Sequence, residues 1–305
     1  MNVHYKNLQQ SLFSSTVMAS AKIVNVASVP QRSPFRYPGG KTWLIPEIRA
    51  WLRSLPRKPE IFIEPFAGGG IASLTAAFEN LADHVFMIEK DDQVAAVWDV
   101  ILKDADWLAD KILSFNLTLE NTLQVLSTPP HNLREKAFQV ILRNRVQRGG
   151  IMAPGASLLK FGENGRGIAS RWYPQTLAKR IKAIYEHRNR IMFKEADAFD
   201  FIPHFLNNPH AAFFIDPPYT AGGKRAGKRL YLYSEIDHDE LFSMMAEAKG
   251  NFMMTYDDTE EVKELSFRHG FSIRRVPMKS THHSKMYELL IGPTSISKQS
   301  ADLFF

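Results

Sequence analysis

The chain of 305 residues contains no cysteine. Disulfides, thiolate metal sites and a cysteine nucleophile are thereby excluded, and no metal site is expected. Long apolar runs are also missing: nothing approaches the roughly 18 uninterrupted residues of a membrane-spanning helix. Acids are scarce in particular places. Residues 1–33 have none, residues 222–230 have none, and residues 134–190 set only Glu135, Glu163 and Glu186 against 13 Lys/Arg. The last two stretches carry +10 and +4 in a chain of net charge +6, so the remainder is net −8. Positive charge focused on an acidic body attracts polyanions, nucleic acid first; a solvated basic face is the plainer alternative.

What is present is the balance of an ordinary globular protein, 45% hydrophobic and 23% charged. That excludes a wholly disordered, collagen-like or coiled-coil chain. Residues 1–33 are Ser/Val-rich without a period, and no charged segment leads into a compact apolar core. They read as a flexible tail, or as what precedes a true start at Met18, and not as a secretory signal.

From Phe35 onward, short apolar runs alternate with helical periods. Strands are expected at 61–63, 84–88, 190–193, 211–215, 251–256 and 286–291, and helices at 71–80, 92–114, 238–249 and 259–268. Continuous apolar strands between helices indicate an α/β fold with a mostly parallel sheet covered on both faces. Residues 116–190 break the rhythm: helix at 134–147, a Gly-rich loop at 149–167, helix at 175–188. They are expected to form a helical insertion between the third and fourth elements of the sheet.

Glu64-Pro65-Phe66-Ala67-Gly68-Gly69-Gly70 lies between a strand and a helix, where glycines allow a sharp turn and close approach of a ligand. Glu89 ends the next strand, 19 residues past Gly70. An acid there is placed to hold ribose hydroxyls. The dinucleotide pattern G-x-G-x-x-G is absent, and an acid at the turn repels a pyrophosphate. The expected ligand is a nucleoside without phosphates, and S-adenosylmethionine fits. Asp216-Pro217-Pro218-Tyr219 follows an apolar strand directly. Two prolines stiffen this loop and remove N–H donors. A carboxylate beside a free carbonyl suits acceptance of both hydrogens of an exocyclic amine, and Tyr219 offers a face on which a base can stack.

These residues resemble the Dam-type, alpha-class DNA adenine-N6 methyltransferases. Phe35-Arg36-Tyr37-Pro38-Gly39-Gly40-Lys41 is similar to that family's aromatic-x-Gly-Gly-Lys motif. Residues 62–70 resemble its main cofactor loop and residues 216–219 its catalytic motif, in the family's order over roughly residues 34–292. The resemblance implies a Rossmann-like S-adenosylmethionine-dependent methyltransferase sheet, in residues 34–115 and 191–305, with 116–190 as a helical target-recognition domain. It implies that Tyr37, Gly39, Gly40 and Lys41 contact the cofactor, Lys41 through the carboxylate. Glu64 would lie near the methionine ammonium, within a loop completed by Pro65, Phe66, Gly68 and Gly70, and Glu89 at the ribose. Asp197, with Phe199 beside it, would meet the adenine amino group, and Asp216 would border both cofactor and target. Asp216, Pro217, Pro218 and Tyr219 would carry catalysis. His238 is expected to cap a helix.

Asn144-Arg145, Gly149-Gly150, Arg171-Trp172, Leu177 and Arg180-Ile181 resemble the helical frame of the family's target-recognition domain. Arg143, Arg145, Arg148, Lys160, Arg166 and Arg171 are the DNA-contacting candidates there. Lys224, Arg225, Lys228 and Arg229 join them from the second basic stretch. Residues 151–170 lack the N-G-L-x-R-type segment of GATC readers, which leaves the recognition sequence open. The implied partner is double-stranded DNA, with room for a cognate restriction endonuclease, in the cytoplasm of a bacterial or phage-like system. The same chemistry on cytosine N4 or on RNA, and a silent DNA-binding relative, are the alternatives.

Overall fold

The computed structural model describes residues 26–37, 39–152, 156–162, 165–219, 235–279 and 285–294. One seven-stranded sheet has the order β3-β2-β1-β4-β5-β7-β6. Strands β1 (Ile61–Glu64), β2 (His84–Glu89), β3 (Ile191–Glu195), β4 (Ala211–Ile215) and β5 (Asn251–Asp257) run parallel. β6 (Ser272–Lys279) and β7 (Lys285–Gly292) form an antiparallel edge, with β7 also antiparallel to β5. β6 was not anticipated. Its sequence, SIRRVPMK, mixes charge and proline with apolar residues, as an edge strand allows.

The central strands are apolar on both faces because both faces are covered. Every residue of β4 is buried. Phe62 and Phe214 enter one apolar cluster, stacked at 6.5 Å, while Ile63, Phe213 and Ile215 enter the other. The first cluster lies under α1 (Ile45–Ser54), α2 (Ile71–Phe78), α3 (Asp92–Ser114), α5 (Leu133–Val146) and α6 (Pro174–Glu186). The second lies under α7 (His238–Glu247) and α8 (Glu260–Arg268). Side-chain caps fix most helix starts: Asp91, Asn132, Asp237 and Thr259 accept N–H bonds for α3, α5, α7 and α8, each contributing about 1 kcal/mol. His238 therefore is not a cap. Asp237 does that work, and the His238 imidazole pairs with the Tyr256 hydroxyl at 3.0 Å.

The helical segment enters between β2 and β3, one step earlier than expected. It adds α4 (Leu119–Ser127), capped by Thr118 and not anticipated, to α5 and α6. Among the described residues it has no core of its own. α5 and α6 pack on α3, and Phe138, Ile141, Leu177 and Ile181 belong to the same cluster as Phe62 and Phe214. Within the expected flexible tail, Val29 is buried and Arg32 pairs with Glu79 at 2.8 Å, while Val26, Ser28, Pro30 and Gln31 are exposed. Residues 1–25 lie outside the described residues. No helix among the described residues is long and apolar enough to cross a membrane.

Candidate active site

β1 lies between β2 and β4, so the crossovers leave it in opposite directions and a crevice opens at the carboxyl ends of these strands. A cavity of about 690 Å³ occupies that crevice, within the range for small-molecule sites. The strap before α1 supplies Tyr37, Gly39, Gly40 and Lys41 to its wall. The first turn supplies Glu64, Pro65, Phe66 and Gly70, the end of β2 supplies Glu89, and the turn after β3 supplies Asp197 and Phe199. Asp216 to Tyr219 complete it from the end of β4.

The turn after β1 is shaped by glycine where nothing else fits. Gly70 sits at φ +62°, and a Cβ there would stand 2.5 Å from Met87 and 2.9 Å from Trp98. Gly68 sits at φ +47° with the Tyr37 ring against it. Its carbonyl accepts the Trp98 indole N–H, and its own N–H donates to Glu89 Oε2 at 2.7 Å. Gly68 thus braces the cavity wall without lining it.

Glu89 also accepts the N–H groups of Lys90 and Asp91 on Oε1, each at 2.9 Å. Burial pushes its carboxyl up to about 7 despite those bonds. Glu64 accepts the Ser73 N–H at 2.9 Å. Its burial, reinforced by Asp216 and Glu89 and opposed by Ser73, pushes it up to about 8. Burial acts on Asp197 too, but Lys90 at 2.6 Å and the Phe199 N–H outweigh it and hold that carboxyl below its ordinary value.

A second network surrounds Asp216. Its Oδ1 accepts the Thr255 hydroxyl at 2.8 Å and the Tyr219 hydroxyl at 2.9 Å, and pairs with Lys41 Nζ at 2.9 Å. Lys41 also donates to the Gly39 carbonyl at 3.0 Å and faces Glu288 at 3.7 Å. Lys41 is therefore turned toward the Asp216 loop, where the resemblance placed it on a cofactor carboxylate. Tyr219 stacks on Tyr256 with centroids 5.8 Å apart, and the Lys41 ammonium lies 4.9 Å from its ring centroid. Burial and the adjacent Asp216 and Glu288 raise the Tyr219 phenol well above its ordinary value, which keeps it a donor. Glu288, Thr255 and Tyr256 were missed in the sequence. They reach the site from β7 and β5, and no local motif marks them.

The basic candidates divide by burial. Arg148, Lys160 and Arg166 are exposed, and Arg166 lies 6.0 Å over the Tyr173 ring. Arg171 is half-buried. Arg145 is buried and donates to the Pro34 carbonyl, so it braces the strap and does not reach a phosphate. Burial among Arg180, Arg36 and Arg171 lowers its guanidinium to about 9. Arg143 is half-buried and donates to Gln93 at 2.5 Å. Lys224, Arg225, Lys228 and Arg229 lie outside the described residues.

A 690 Å³ cavity walled by buried carboxylates fits a small cation with a nucleoside part, because a cation relieves the cost of ionising Glu64 and Glu89. S-adenosylmethionine, with its sulfonium and ammonium, has that charge. Glu64, Glu89, Asp197 and Tyr37 are the residues that would hold it.

No family model matches the sequence, and no curated protein matches it. Solved structures do. A provisionally assigned RNA methyltransferase from Pyrococcus horikoshii is 12% identical with a TM-score of 0.39, covering 96% of each chain. The rRNA methyltransferase aviRa from Streptomyces viridochromogenes is 13% identical with a TM-score of 0.37, covering 85% of this chain and 86% of that one. The precorrin-6y C5,15-methyltransferase from Geobacter metallireducens is 11% identical with a TM-score of 0.34, covering 81% and 86%. The class of fold is defined by the sheet itself: five parallel strands closed by an antiparallel β7-β6 edge, the Rossmann-like methyltransferase arrangement.

Proposed function

We propose that this chain is a site-specific DNA methyltransferase that transfers the methyl group of S-adenosylmethionine to the N6 amine of a flipped-out adenine in duplex DNA. The observation that carries the reading is the Asp216-Pro217-Pro218-Tyr219 loop, standing at the end of β4 in the same acid-walled cavity as Glu64 and Glu89. The cofactor supplies an electrophilic methyl on a sulfonium. The chain supplies position and electrostatics. Adenine N6 is a poor nucleophile because its lone pair is delocalised into the ring. Hydrogen bonds from the amine to Asp216 and to the Pro217 carbonyl favour a pyramidal nitrogen with that lone pair aimed outward. Lys41, Thr255 and Tyr219 converge on Asp216 Oδ1, which fixes the carboxylate and leaves Oδ2 for the amine.

Extruding a paired base costs a few kcal/mol. Phosphate contacts from the exposed Arg148, Lys160 and Arg166 would help offset it. The test is transfer of labelled methyl to duplex DNA, single-stranded DNA and RNA, followed by nucleoside analysis. N6-methyladenine formed in duplex supports the reading. N4-methylcytosine, or label confined to RNA, replaces it with the corresponding amino methyltransferase. No label on any substrate overturns it.

A further inference from the structure

Methylation leaves the amine with one proton more than the neutral product carries, and some group must accept it. Asp216 meets the amine, but its Oδ1 already holds three donors. Glu288 stands next in line. It sits on β7 opposite Asp257 of β5, is 6% exposed, and borders the cavity. Its Oε2 lies 3.3 Å from the Tyr219 hydroxyl, which is itself 2.9 Å from Asp216 Oδ1. A phenol has one proton, and two carboxylates reach for it. Such a hydroxyl can take a proton on one side while giving one up on the other.

We propose that Glu288, reached through Tyr219, is the terminal acceptor of the proton lost by the methylated amine. The proposal rests on the methyl-transfer reading above. The N–H bond breaks with its electron pair left on nitrogen, and Asp216 takes the proton. Neutralised by that proton, the Asp216 carboxyl turns its Oδ2–H to the Tyr219 oxygen. The Asp216 O–H bond breaks as one forms on Tyr219, and the original Tyr219 O–H bond breaks as one forms on Glu288. Nothing is oxidised or reduced. Lys41, 2.9 Å from Asp216 and 3.7 Å from Glu288, holds both carboxylates in reach. The groups facing Glu288 are Lys41 from the strap, Asp216 and Tyr219 from the end of β4, and Asp257 from β5. Burial raises the Glu288 carboxyl to about 7, with Asp216 and Asp257 adding and Lys41 subtracting. Below that pH it is already protonated and cannot accept; above it, it can.

The test is single-turnover transfer to an adenine-containing duplex from about pH 5.5 to 9, in wild type, Glu288→Gln and Tyr219→Phe. A carbon-13 titration of the glutamate carboxyls in the cofactor-free protein provides a readout independent of activity. The wild-type rate should rise about tenfold per pH unit below 7 and level above it. Glu288→Gln should be about a hundredfold slower and flat over that range, with little change in KM for DNA. It should also lose one carboxyl signal titrating near 7. Tyr219→Phe should flatten the profile while keeping that signal, which covers the case of a Glu288 variant that does not fold. A Glu288→Gln or Tyr219→Phe enzyme with the wild-type rate and pH profile overturns the Glu288 role and leaves methyl transfer standing. A wild type that transfers no methyl overturns both.

Discussion

Along α5 and α6, arginine and asparagine side chains meet backbone carbonyls. Along the carboxyl edge of β1 and β2, carboxylates meet backbone N–H groups. In the helical segment, Arg145 donates to the Pro34 carbonyl, Arg180 to the Ser33 carbonyl at 3.0 Å, and Asn144 brackets Arg36 from both sides. These groups clamp the strap that carries Tyr37 and Lys41 into the cavity. At the sheet edge, Glu64 accepts an N–H from the first turn of α2, and Glu89 accepts N–H groups from the turns after β1 and β2. Both regions concentrate one sign of charge, yet burial decides what the charge does. Part of the +10 read in residues 134–190 is internal scaffolding, and only the exposed remainder is available to a polyanion. Glu64 is buried and Glu89 half-buried, but both face a cavity, and burial raises both carboxyls above their ordinary value.

The sharpest way to break the comparison is to cut the clamp. Asn144 is fully buried; its Oδ1 accepts the Arg36 N–H at 2.9 Å, and its Nδ2 donates to the carbonyls of Arg36 at 3.0 Å and Gly150 at 2.9 Å. Asn144→Ala should cost about 4 kcal/mol of stability by leaving those backbone groups unpaired, read from denaturant midpoints. A loss under about 1 kcal/mol would mean the strap is held elsewhere.

Glu64 tests the other region through pH. Its carboxyl is raised from 4.5 to about 8 on folding. The folded state therefore binds more protons than the unfolded one across that window, and stability falls as pH rises through it. Glu64→Gln should leave stability near pH 4 unchanged and raise it by about 4 kcal/mol at pH 8.5, while weakening S-adenosylmethionine. Equal thermal midpoints at both pH values would contradict the assigned burial cost. Glu89→Ala is expected to lower cofactor affinity by about 2 kcal/mol, roughly thirtyfold, as measured by calorimetry. Unchanged affinity would place the ribose elsewhere.

The smallest effect belongs to the exposed cations. Neutralising Arg148, Lys160 and Arg166 together should flatten the salt dependence of DNA binding by about 0.9 in log–log slope for each phosphate that no longer meets a cation. Fold stability and cofactor affinity should not move. An unchanged slope would remove this face from the DNA path.

Much of the sheet was legible because doubly covered strands have continuous apolar runs: Phe62, Phe213 and Phe214 leave no polar face to confuse the period. β6 was not, because Arg274, Arg275 and Pro277 give an edge strand the look of a loop. The turn that lines the cavity could be read from its local order of Glu64, glycines and Glu89. The surroundings of Asp216 could not. Lys41, Thr255 and Glu288 come to it from the strap, β5 and β7, and only the strand order brings them together. The charge run was visible as composition, but Arg145 and Arg148 are indistinguishable until the packing of α5 against the strap is known.

The most direct measurement is transfer of labelled methyl from S-adenosylmethionine to an adenine-containing DNA duplex by wild type and Asp216→Ala. Wild type should yield N6-methyladenine. Asp216→Ala should lose at least a thousandfold in rate, about 4 kcal/mol of transition-state stabilisation, while still binding DNA. Activity in Asp216→Ala within tenfold of wild type would contradict the assignment of the Asp216 loop as the centre that holds the target amine.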